Sequence, residues 1–300
     1  MKNLLAISLA AILPATSFGG IAPVRVAPEG PAAEETAVSV APKTAIPSAF
    51  REGEDLTFAI KWGVLKGGYA SLKVQNIEAL ENRSTYHVVA EAHSTGMVNT
   101  MYHVNDRNEA WLEPQTPSTL RYARKIHEGK YRVEEEVTLD QTAHRFHQRH
   151  YRIDKNRTEE KNGDIPPNVL DVLGSFYYVR TLPLEVGKSF TMDVHSEDTV
   201  YPLVVNVTKR ETVRVKAGKF DCFIVEPQLR KNGIFISKGK KLEVFLTADD
   251  AHMPVLMRTE VFIGHVAAEL VSHRNVTPAE TYALTKAPAI DPTPTTEIDQ

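Results

Sequence analysis

Between residues 50 and 275, apolar side chains recur at every second position. Leu56, Phe58, Ile60 and Trp62 alternate with polar or small residues, Gly63 to Gly68 turns the chain, and Ala70, Leu72 and Val74 resume the period. Alternation of this kind marks strands with one buried face, so the first unit is predicted to be a hairpin. Tyr86, Val88, Ala90 and Ala92 continue it, followed by Ala110 and Leu112, by Leu120 and Tyr122, and by Tyr131 to Leu139 after Gly129. Residues 143 to 152 read as the returning strand. Beyond Gly187 the period carries Phe190 and Met192, Leu203 to Val207, Val213 and Val215, Phe220 to Val225, Leu242 to Leu246, Val255 to Val261 and Val266 to Val271. About a dozen short strands at this spacing predict an all-β domain, an antiparallel β-barrel or strongly curved sheet.

One segment follows another period. After Ile165-Pro166-Pro167, Asn168 is placed to cap a helix carrying Val169, Leu170, Val172, Leu173, Phe176, Tyr177 and Arg180, which Pro183 stops. Its apolar residues recur at three and four, so it is amphipathic or fully buried, and a lone helix in a β-rich chain is expected to cap or plug the sheet.

The flanks lack both periods. Residues 1–19 carry Lys2, an apolar run from Leu4 to Pro14 and the small or polar residues Ala15 to Gly19, the pattern of a cleaved secretory signal with Ser17 or Gly19 as the last residue removed. Residues 20–49 and 276–300 are rich in Pro, Ala and Thr and read as a disordered linker and tail around a single domain at 50–275. These features predict a periplasmic protein that does not span the membrane, since no later stretch approaches the roughly 20 apolar residues such a helix needs. Cys222 is the single cysteine, so no intramolecular disulfide forms and the leader offers no thiol for a lipid anchor. The formal charge is −3, with much of the deficit in the flanks, which argues against nucleic acid as a partner.

Side chains that could carry chemistry must be weighed against plainer roles. His144, His147 and His150 suggest a metal site, yet on a strand His147 faces away from the other two, and Arg145, Arg149 and Arg152 between them would repel a cation. An exposed basic strand is the simpler expectation; with Arg121, Arg124, Lys125 and Lys130 nearby it could also meet anionic headgroups. Asp249, Asp250 and His252 could form an acid/base group, but turn chemistry before Pro254 explains them as well. Cys222 lies in an alternating apolar strand and reads as a core residue. Asp171 on an apolar helix needs a partner, either backbone or Arg107 across the core, and Arg180 needs another because nine helical positions turn it away from Asp171. No metal or cofactor is called for, and neither a nucleophile elbow nor a phosphate-cradling loop occurs in the sequence.

The order of several short stretches resembles a family of exported bacterial proteins known as a domain of unknown function. The resemblance rests on Phe50-Arg51-Glu52-Gly53-Glu54, Trp62-Gly63 and Gly67-Gly68, on Tyr102 to Asp106, on Asp171 to Arg180, on Gly218 to Phe223 with Glu226-Pro227, and on Leu246 to Asp250 with Met253-Pro254-Val255. It implies a location in the periplasm or facing the outer membrane, a β-rich fold like the open barrels of lipoprotein carriers, and no assigned reaction.

Three functions stay open. The first is a non-enzymatic protein binding a hydrophobic ligand, an acyl chain or lipid, in a cavity lined by Leu173, Phe176, Tyr177 and Trp62, with a lipid or lipoprotein as partner. The second is an interaction or scaffold protein of the cell envelope with a filled barrel. The third is a hydrolase, which would need Asp249, Asp250 and His252 to converge in a cleft.

Overall fold

A computed structural model describes residues 49–114, 118–229, 241–260 and 265–276. The leader, most of the linker and the tail lie outside the described residues.

The first half of the chain forms β1 (Asp55–Trp62), β2 (Leu65–Leu80), β3 (Arg83–Ser94), a short helix α1 (Gly96–Met101), β4 (Asn105–Leu112), β5 (Thr119–Glu128), β6 (Tyr131–Asp140), β7 (Arg145–Arg152) and β8 (Arg157–Asp164). The second half forms β9 (Leu170–Asp171), α2 (Val172–Val179), β10 (Ser189–Ser196), β11 (Thr199–Val215), β12 (Gly218–Leu229), β13 (Leu242–Thr247), β14 (Pro254–Glu260) and β15 (His265–Arg274). All fifteen strands share one sheet, ordered from β8 through β1 to β15 and on to β9. Every neighbouring pair is antiparallel except β9 and β10.

The expected architecture is therefore present with more strands than the period revealed. Register keeps the apolar sets on one face: Phe58 stands opposite Ala70 on one side and Leu270 on the other, while Leu72 meets Ala90. A slip of one residue would turn each set outward. Between β2 and β3 the turn is Glu81-Asn82, both at positive φ, as a two-residue hairpin turn requires. Gly67 and Gly68, expected in the first turn, belong to β2, and the chain reverses at Gly63-Val64.

Among the described residues the ladder stays open, with β8 and β9 at its edges. The sheet curls until β5 to β8 lie against β9 and β10. Thr119 N–H donates to Val169 O at 3.1 Å, Gln141 Nε2 donates to Thr119 O and Val169 O, and Lys161 pairs with Asp198. Side chains and one backbone bond thus draw together what strand pairing leaves apart.

Helix α2 lies at the end of the sheet where β1 begins and β4 finishes. It starts at Val172, capped by Asp171, and not at Asn168, which takes positive φ. Leu170 and Asp171 pair in parallel with Val194 and His195, and that bridge holds the chain extended until Asp171. A Cβ on Gly174 would lie 2.5 Å from Thr119 Oγ1, so only glycine allows the helix this close to β5. Nor is α2 the lone helix expected, since α1 follows β3.

Candidate functional site

Leu173, Phe176, Tyr177 and Trp62 border the same core, but from different places along it. Leu173 and Tyr177 point into the core at 3% and 0% exposure, and half-buried Phe176 packs beside them. Tyr177 meets Phe50 edge-on at 4.9 Å. Trp62 closes β1 at the opposite end, seven residue steps or roughly 23 Å along the strand at about 3.3 Å per residue.

Arg180, at the end of α2, is wholly buried and finds its partner in Glu54. Nη1 donates to Oε1 at 2.7 Å and Nη2 to Oε2 at 2.8 Å, while Nη2 also reaches Ala49 O and Ala251 O. This forked pair ties α2 to the entry of β1 and to the β13–β14 turn. Asp171 meets Thr119 Oγ1 at 2.8 Å and accepts from the Leu173 and Gly174 amides. Burial raises its carboxyl to about 6 against those bonds. Arg107, the alternative partner expected for Asp171, instead pairs with Glu91 and Glu109 at 2.6 and 2.8 Å. Lys73 joins Glu91 and His87 joins Glu109, forming a polar chain across β2, β3 and β4.

The histidines at 144 to 150 do not converge. His144 stands in a turn at positive φ, exposed His147 bonds Asn162, and His150 bonds Glu135. Strand β7, which carries His147 and His150, is only half basic surface, because Phe146 and Gln148 are buried. Asp249 accepts from Thr247 Oγ1 and the Ala251 amide, while His252 Nδ1 lies 2.7 Å from Arg180 O, so these residues build a turn. Cys222 is buried, and burial pushes its thiol up to about 12.

The polar cluster that sequence reasoning missed lies on the inner face of β5, β6, β7 and β10. Glu135 on β6 stands opposite Arg124 on β5 and His150 on β7. Arg124 Nε donates at 2.6 Å, Gln148 Nε2 at 2.7 Å, and His150 Nδ1 lies 3.1 Å away. Burial alone would push the Glu135 carboxyl up, but Arg124, His150 and Gln148 outweigh it and hold it at about 2. Beside them Tyr122 Oη lies 3.0 Å from His195 Nδ1, and Phe146 packs on the same imidazole. Burial lowers His195 to about 4 and raises Tyr122, so both are neutral at pH 7. His195 Nε2 and Gln148 Oε1 are buried without a hydrogen-bond partner among the described residues. A signal for the cluster existed: Arg124, Glu135, Gln148 and His150 fall in phase with Tyr122, Val133, Val137 and Phe146, where an inward face requires charges to be paired.

A curled, open antiparallel sheet with a helix packed at one end defines a barrel-like protein. The chain belongs to the family described as a protein of unknown function, DUF3108, whose pattern matches residues 57–271. This is the kind of family that the short stretches resemble. In fold the chain is similar to a β-barrel-like protein of domain of unknown function DUF1849 from Brucella abortus, at 10% identity and a TM-score of 0.51, covering 78% of this chain and 99% of that one. Two looser overlaps are with a candidate exported protein of YmcC-like fold from Bacteroides fragilis (10% identity, TM-score 0.34, 75% and 96% covered) and a candidate lipoprotein from Parabacteroides distasonis (12%, 0.32, 77% and 99%). No curated protein matches the sequence. Among the described residues, no helix is long and apolar enough to cross a membrane.

Proposed function

We propose that this chain is a non-enzymatic protein of the bacterial envelope that acts by interaction, its barrel-like domain filled by its own side chains. The observation that carries this is the inner wall: Leu56, Phe58, Ala70, Leu72, Val88, Ala90 and Ala110 are at most 2% exposed, and α2 packs into the same core. Side chains so fully covered pack against protein along this wall, as in a close-packed interior, which supports a filled barrel over a hollow one. The export pattern of residues 1–19 supports the envelope location.

The test is titration with a fluorescent fatty acid, for which no saturable uptake is expected. Stoichiometric uptake, lost in a Leu173→Glu variant that circular dichroism shows to be folded, would restore the carrier function. Arg124 and His150 favour a second function, capture of the polar head of an amphipathic ligand, because their side chains are 19% and 24% exposed at the edge of the buried cluster. Arg124→Gln would then weaken binding of an anionic probe while leaving a neutral one unchanged.

A further inference from the structure

Four of the seven large apolar side chains that stand exposed among the described residues gather at one end of the sheet. Val64 and Leu65, 98% and 61% exposed, form the tip of the β1–β2 hairpin, and Met97 and Met101, 80% and 77% exposed, stand on α1. The two tips are neighbours. Thr95 N–H donates to Gly67 O at 3.0 Å just before α1 begins, and Gly68 pairs with Ser94 in the ladder. A Cβ on Gly68 would lie 2.1 Å from the His93 carbonyl oxygen, so glycine is what lets the two segments meet. Clustered apolar groups left in water mark a contact surface.

Charge selects the partner. Residues 61–73 and 93–105 contain no aspartate or glutamate, but carry Lys61, Lys66, Lys73, His93 and His103, and the carboxylate beside them is Glu260, opposite His265 across from Gly63. Lys61 and Lys73 are neutralised by Glu269 and Glu91, whereas Lys66 lies against the Tyr69 hydroxyl and ring with no carboxylate partner among the described residues. Four protruding apolar tips with an ammonium behind them that meets a tyrosine and no carboxylate suit a fluid anionic interface, where each side chain finds its own depth. A shaped protein surface would instead ask for a groove or a flat face.

We propose that this rim docks on an anionic lipid surface, with Val64, Leu65, Met97 and Met101 entering between headgroups and Lys66 at the level of the phosphates. The inference rests on the chain acting through its outer surface, and it places α2 at the end away from the bilayer. The direct experiment is co-sedimentation of the mature chain with phosphatidylcholine vesicles with and without phosphatidylglycerol. Binding should require the anionic lipid, fall about fivefold in Lys66→Gln, and fall at least about tenfold in Leu65→Asp/Met97→Asp. Ile77→Asp, on an exposed position toward the other end of β2, should bind as the parent does.

Absence of binding to anionic vesicles, equal binding to both vesicle types, or full binding by the double variant would each overturn the proposal. A dimer in sedimentation equilibrium that Leu65→Asp abolishes would assign the rim to a second copy and overturn it too. Fatty-acid uptake measured on the same samples separates the two ideas: uptake with rim-dependent vesicle binding removes the filled interior and leaves the rim standing.

Discussion

The two ends of the sheet are built on opposite terms. At the end closed by α2, charge is buried and fully paired, as Arg180 and Glu54 show, and Tyr177 and Leu173 are sealed into the core. At the other end Val64 and Met97 stand in water beside Lys66, which has no carboxylate partner among the described residues. Apolar surface is thus hidden where the fold needs it and displayed where the fold does not. The contrast separates stability from contact: substitutions at the α2 end should unfold the protein, and substitutions at the rim should leave it folded but blind to its partner.

The largest expected effect is at the buried pair. Glu54→Ala leaves Arg180 charged and alone and should cost about 3–5 kcal/mol in urea unfolding, whereas the double change Glu54→Leu/Arg180→Met, which removes both charges, should recover most of it. Acidification probes the same half of the molecule through two opposed groups. His195 titrates at about 4 in the fold, below its usual 6.5, so as pH falls through that window the unfolded chain takes the proton first and stability drops by on the order of 3 kcal/mol. Asp171 titrates at about 6 against a usual 3.8, so the folded chain takes the proton first and stability rises as pH falls from 6 to 4. The His195→Phe variant, freed of the first slope, should gain stability between pH 7 and pH 4.5 relative to the parent, and chemical denaturation at the two pH values checks it.

Smaller effects are expected at the rim. Gly68→Ala should cost about 2 kcal/mol, because its methyl group meets backbone that must shift. Leu65→Asp/Met97→Asp should change stability by no more than about 0.5 kcal/mol for each exposed site, and a melting curve that matches the parent would sharpen the contrast between the ends.

Much of the sheet was legible in the sequence because its inner face is apolar and strict in period. Leu56 to Ile60 and Ala70 to Val74 announce strands that pair as the pattern demands. What stayed hidden has other causes. Strand β8, Arg157 to Asp164, is polar on both faces; as a solvated edge strand it needs no apolar set and therefore leaves no period. The start of α2 was misread because the bridge from Leu170 and Asp171 to β10 depends on residues more than twenty positions away. Arg180 was recognised as needing a partner, but nothing local points to Glu54, 126 positions earlier. Leu173, Tyr177 and Trp62 border one core, as the period implies, but periodicity assigns a face and not an end of the sheet, so their separation along β1 was not legible.

On the proposed function, the interior belongs to the chain's own side chains and the outer surface makes the contacts; on the carrier function, the interior holds a lipid. Native mass spectrometry of the protein purified without denaturation from the cells that make it is the measurement that decides between the two. The mass should be that of the polypeptide alone; one lipid retained per chain, displaced by a competing fatty acid and absent from a folded Leu173→Glu variant, would contradict the proposed function.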